Sequence, residues 1–138
     1  MNHFIIALLL VLPFTSTFAA TQPRDGRLDP RIKRVEYQAG QVYQVHAHYL
    51  QTTMITFADD EEIVHVSLGD PMAWSPQTVN NYIALKPLLE KADTNMNLLT
   101  KNITTGKIRA YVFELTAQET HSIAHHSGTF MMTFTYPS

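Results

Sequence analysis

The 138-residue chain reads as all-β, an antiparallel β-sandwich of about eight short strands. Three observations carry that reading. Runs in which apolar and polar residues alternate recur at roughly ten-residue spacing, the period of a strand buried on one face. Between them lie clusters of glycine, proline, asparagine and aspartate, which suit chain reversals. No stretch shows convincing helical periodicity; Leu85 to Ala92 could form one short helix, and Pro87 limits it.

Residues 1–20 stand apart from the domain. Phe4 to Phe14 is apolar except for one proline, and Thr17-Phe18-Ala19-Ala20 offers small residues for cleavage after Ala19 or Ala20. About a dozen apolar residues fall short of the roughly twenty that span a bilayer, so the segment is expected to be a cleaved signal peptide and the mature chain to be exported. Residues 21–34, TQPRDGRLDPRIKR, should form an extended basic arm. A single sandwich domain is then expected over residues 35–138.

Within that domain, Arg34 to Tyr37 gives the first strand signal and Gln38-Ala39-Gly40-Gln41 a turn. In the next run Tyr43, Val45, Ala47 and Tyr49 share a face that should be core, leaving Val42, Gln44, His46 and His48 opposite. Thr52 to Phe57 follows, with Ile55 and Phe57 on one side. Asp59-Asp60-Glu61-Glu62 reads as a solvated acidic hinge, because four adjacent carboxylates repel one another.

The stretch from Glu62 to Thr100 organises the rest as strand, turn, strand, turn, strand. Val64, Val66 and Leu68 are expected inward, and Gly69-Asp70-Pro71 should reverse the chain, Gly69 supplying a positive φ. Trp74, the single tryptophan, suits a core or interface anchor. Strands over Tyr82 to Lys86 and Met96 to Thr100 precede a hairpin loop bent at Gly106. Tyr111, Phe113 and Leu115 then mark the inner face of a strand over Ile108 to Leu115. Thr116 to Gly128 reads as a loop or at most one helical turn, and Thr129 to Tyr136 alternates cleanly with Phe130, Met132, Phe134 and Tyr136 on one side.

Composition narrows the function classes. Ten Lys+Arg against twelve Asp+Glu give no basic excess, so direct nucleic-acid binding is not expected. With no cysteine, an exported domain of this size must hold itself by its core. No cofactor motif is visible. Gly40 followed by His46 and His48 resembles the first half of the cupin metal motif, but the glutamate that would complete it is missing. His65 or His121 could be nominated as third ligand without any spacing to support either. His121 and His125 would share a helix face, again without a third ligand. The plainer reading for His46 and His48 is exposed histidines on an edge strand, with no metal bound.

The order of short motifs is more specific. Asp29-Pro30-Arg31-Ile32, Gly40-Gln41-Val42-Tyr43, Thr53-Met54-Ile55-Thr56-Phe57, Leu68-Gly69-Asp70 with Trp74, Leu85-Lys86-Pro87, Thr94-Asn95-Met96, Arg109 to Leu115 and Phe134-Thr135-Tyr136-Pro137 together resemble the N-terminal domain of the TrbG/VirB9/CagX family of type IV secretion systems. The resemblance implies a non-catalytic β-sandwich subunit of an outer-membrane core complex serving conjugation or effector transfer. It also implies ring self-association, a TrbI-like, VirB10-type partner and a small VirB7-type lipoprotein. Family members usually continue into a second β domain that carries much of the lipoprotein contact, and that domain is expected to be absent here. Exposed polar positions without an evident sandwich role are the candidate partner interface: Arg31, Arg34, Asp70, Lys86, Asn95 and Arg109, together with the Trp74 anchor.

Two other readings stay open at this point. A stand-alone first domain could regulate or compete with a full-length homologue, and a small periplasmic β-barrel enzyme could use a metal on His46 and His48.

Overall fold

A computed structural model describes residues 20–25, 28–119 and 128–138. Ten strands run in chain order: β1 (Arg24–Asp25), β2 (Ile32–Glu36), β3 (Val42–His48), β4 (Thr53–Thr56), β5 (Glu61–Leu68), β6 (Trp74–Val79), β7 (Tyr82–Pro87), β8 (Thr94–Asn102), β9 (Ile108–Gln118) and β10 (Met131–Thr135). They form a six-stranded sheet ordered β1-β2-β10-β4-β7-β6 and a four-stranded sheet ordered β3-β9-β8-β5. Both sheets are mixed rather than purely antiparallel, because β10 lies parallel to β2 and β4, and β3 lies parallel to β9. No described residue is helical; Leu88 to Lys91 bends instead.

Alternation builds the core from both sheets. Tyr43, Val45 and Ala47 of β3 and Tyr111, Phe113, Leu115 and Ala117 of β9 turn inward against Ile55, Ile83, Leu85, Met132 and Phe134. At its centre the Phe57 ring meets Tyr111 edge-on at 4.6 Å and stacks on Phe134 at 5.4 Å, while Tyr43 meets Phe134 edge-on at 4.8 Å. Such pairs add about 0.5–1.5 kcal/mol each beyond the area they bury.

Several expectations are corrected by this packing. A β-bulge between Ile63 and His65 inverts the alternation of β5, so Val64 is 47% exposed while Ile63, Val66 and Leu68 pack on the core. Glu61 is not part of a solvated hinge; it opens β5 with a buried side chain. Gly69 has no positive φ. It is needed for space, since a Cβ there would run into the Asn95 side chain as β8 begins. Gly40 (φ 79°) and Gly106 (φ 73°) do take the left-handed conformation at the turns assigned to them. β1 and β6 are additional to the sequence-predicted strands.

The arm stitches one flank of the sandwich. Thr21 N–H donates to Val42 O at 2.9 Å and Gln44 N–H donates to Thr21 O at 3.2 Å, which caps the edge strand β3. A continued ladder would next require an N–H from Pro23, which has none, so the chain leaves β3. It then pairs as β1 with β2 of the other sheet, Arg24 opposite Arg34 and Asp25 opposite Lys33. The opposite flank, bounded by β5 and β6, has no such strap among the described residues.

Candidate functional site

The most concentrated chemistry lies at the β5 end of the core, around Glu61. Its side chain is buried, yet the carboxylate has three donors. Thr100 Oγ1 donates to Oε2 at 2.5 Å, Tyr111 OH donates to Oε2 at 3.1 Å, and Arg109 Nη1 forms an ion pair with Oε1. Since the Tyr111 proton is spent on Glu61, Tyr136 supplies the proton of the 2.8 Å bond between the two hydroxyls. Tyr136 in turn accepts Ala58 N–H at 3.0 Å. Above the pair, the Arg109 guanidinium lies 4.8 Å from the Tyr136 ring centre and 5.2 Å from that of Tyr37.

Electrostatics follow from this geometry. Burial is the largest influence and opposes the Arg109 charge, but the hydrogen bond to Glu61 and the charges of Glu61, Tyr111 and Tyr136 together outweigh it and raise the pKa. Burial, followed by the bond and charge of Tyr136, pushes the Tyr111 phenol far above its usual value, and burial pushes Tyr136 up to about 12. A carboxylate saturated by donors and a guanidinium held between aromatic faces leave little for a substrate. The cluster works as a joint, tying β5, β8 and β9 to the segment that follows β10 and to the β4–β5 turn.

The sequence-predicted interface residues divide into two groups. Three are used inside the fold. Arg31 grips Asp29 through Nε at 3.0 Å and Nη2 at 2.7 Å and covers the Phe130 ring at 4.5 Å, and this pairing raises its pKa. Trp74 is buried and donates Nε1–H to Ala92 O at 2.7 Å, so its side chain offers no surface to a partner. Arg109 belongs to the Glu61 joint.

The other four reach solvent. Arg34 is exposed beside a cleft of about 510 Å³ also lined by Gln22, Glu36 and Gln38. Asp70 is exposed in its turn, where Oδ1 accepts Met72 N–H at 3.2 Å. Lys86 is half-buried opposite Ser75, and Asn95 is exposed against Gly69. The fold does not gather these four into one patch, as they sit on β2, the β5–β6 turn, β7 and β8.

The described histidines do not assemble as ligands. His46 Nδ1 lies 2.7 Å from Thr116 Oγ1, and burial, then the Lys33 charge, lowers its pKa. His48 is buried rather than exposed, edge-on to Phe130 and pressed against Gly128, where a Cβ would overlap the imidazole. His65 is exposed on β5, and His121 and His125 lie outside the described residues. Among the described residues no three His, Cys, Asp or Glu converge as a metal site.

Comparison with known proteins decides the family. Residues 30–138 match the CagX family, described as conjugal transfer protein. The chain belongs to the CagX family. Its relatives include the type IV secretion system protein virB9 of Bartonella henselae, 32% identical over 123 residues, which covers 89% of this chain and 42% of that protein. The corresponding protein of Bartonella quintana is 33% identical over 87% of this chain and 41% of its own length. Protein virB9 of Agrobacterium tumefaciens is 25% identical over 83% of this chain and 38% of its own. The chain thus spans about two-fifths of the length of these curated CagX-family relatives. The matched span takes in the whole sandwich from just before β2, including all five side chains of the joint.

Proposed function

We propose that the chain is a non-catalytic structural subunit of a type IV secretion outer-membrane core complex. In this reading it is exported through an N-terminal signal peptide, resides in the periplasm and is held at the outer membrane by its partners. The observation that carries the reading is the family match across residues 30–138, which takes in every strand from β2 to β10. The joint agrees with it, since its ionisable groups are spent on one another in fixing the two sheets.

The partners in this reading are a TrbI-like, VirB10-type subunit and further copies of the chain in a ring. A VirB7-type lipoprotein is a further partner in this reading. Arg34, Asp70, Lys86 and Asn95 are the residues proposed to face partners. Light scattering on the exported chain, alone and mixed with the periplasmic part of the TrbI-like subunit from the same organism, tests this. A stable complex or a ring-sized assembly is the expected result. A folded monomer that ignores the partner would overturn it.

A further inference from the structure

The flank left open by the arm carries a second feature. Val79 and Tyr82 flank a two-residue turn, Asn80-Asn81, with Asn80 at φ 52°. In such a hairpin the flanking residues exchange hydrogen bonds with each other, so by alternation Gln77 pairs with Ala84 and Ser75 with Lys86. The Leu88 N–H bond to Ala73 O at 2.8 Å continues the same phase. Pro76 and Thr78 therefore turn their backbone groups away from β7, toward solvent. This is where a proline is tolerated in a strand, and it leaves Thr78 N–H and C=O with Pro76 C=O as a free edge.

Beside that edge, on the outer face, Met54, Ala84, Tyr82, Val79 and Gln77 line an apolar groove of about 300 Å³. Val79 is 64% exposed and Tyr82 43%, and β6 carries no charged side chain to repel a strand. The ends of the groove differ in charge. Near Val79, the turn bearing exposed Asp59 and Asp60 is held alongside, as Phe57 N–H and Ile63 N–H each donate at 2.9 Å to Asn81 O and Asn80 O. At the other end Lys86 sits opposite Ser75 on the groove face.

We infer that β6 is a docking edge for an extended segment of a partner protein. The segment adds antiparallel to β6, sets apolar side chains at alternate positions into the groove, and carries a basic residue at its N-terminal end against Asp59 and an acidic one toward Lys86. Main-chain pairing to Thr78 supplies affinity, while the groove and the two charges supply selection. The inference is read from the edge alone and does not depend on the secretion-complex reading, so its test and the co-assembly test fail separately.

The probe is a capped peptide, Lys-Thr-Val-Thr-Val-Thr-Glu, whose valines and two charges share one face of the strand, titrated into the full chain and followed by amide NMR. A control peptide has the same composition with its two valines adjacent. Expected are saturable shifts at Met54 and Tyr82, slowed exchange of the Thr78 amide, and roughly tenfold weaker binding of the control. Val79→Asp, at an exposed site, should weaken the probe about tenfold, and Thr78→Pro should abolish binding while the hairpin stays intact. No binding at millimolar peptide, or binding that Val79→Asp leaves unchanged, would overturn the inference. So would dimerisation of the chain alone with Thr78 protected, because the occupant would then be a second copy.

Discussion

The two flanks of the sandwich solve the same physical problem in different ways. On the β3 side, backbone from the arm satisfies the edge of one sheet at Thr21 and then pairs with β2 of the other. On the β5 and β6 side no strand among the described residues covers the edges; the two sheets are joined from within by Glu61, Arg109, Tyr111 and Tyr136, and β6 keeps its outward groups. One flank is closed by chain and the other by side chains. The second arrangement holds the sheets together while leaving a backbone edge available.

Removing the internal joint gives the sharpest test of that contrast. Glu61→Ala strips three donors of their acceptor and should cost about 3 kcal/mol in urea unfolding. Glu61→Gln keeps an acceptor for Thr100 and Tyr111 and should cost about half as much. A loss below about 1 kcal/mol for Glu61→Ala would mean the joint is not what holds this flank.

The next effect belongs to the β3 flank. Gly128→Ala forces a Cβ into the His48 imidazole at a residue with φ 88°, for about 2 kcal/mol. Proline then compares the two edges directly. Thr21→Pro removes the bond to Val42 O and should cost about 1 kcal/mol, whereas Thr78→Pro removes an N–H that pairs with nothing and should stay within about 0.5 kcal/mol. Equal losses would erase the distinction.

The smallest effects are those of pH. Folding prefers protonated Tyr111 and Tyr136, both raised chiefly by burial, so the stability they contribute is full below the unfolded tyrosine value near 10 and falls as pH rises toward about 12. Tyr136→Phe should blunt that alkaline loss in a denaturation series. His46 is lowered, again chiefly by burial, so folding prefers its neutral form. Stability should be full above the usual histidine value near 6.5 and weaken as pH falls below it.

How much of this was legible depends on which residues carried the pattern. Tyr43, Val45, Tyr111, Phe113, Met132 and Phe134 alternate strictly, and each is buried as the alternation requires. β6 was missed because Ser75-Pro76-Gln77-Thr78 has no apolar alternation, which is the composition of an edge rather than a central strand. The bulge at Val64 leaves no mark in the residues around it.

The joint was half legible. Arg109 stands two residues before Tyr111, in phase with the inner face of β9, and Glu61 stands two before Ile63. An arginine on an inward face demands a buried acid, and Glu61 was hidden among four adjacent carboxylates that read together as solvated. Pairing the two needed the sheet register, which sets Glu61 opposite Asn102 and Thr100 opposite Arg109. Of the partner-facing candidates, Arg34, Lys86 and Asn95 keep solvent access because their strand phase points them outward, and Asp70 because it sits in the β5–β6 turn.

Amide hydrogen exchange on the isolated chain, resolved residue by residue, tests the contrast between the flanks most directly. Thr21 and Gln44, bonded across the stitched edge, should be slowed about a hundredfold or more, while Thr78 should exchange close to the open-chain rate. Protection of Thr78 equal to that of Gln44 in the monomer would mean β6 is already covered, and the open flank would not exist.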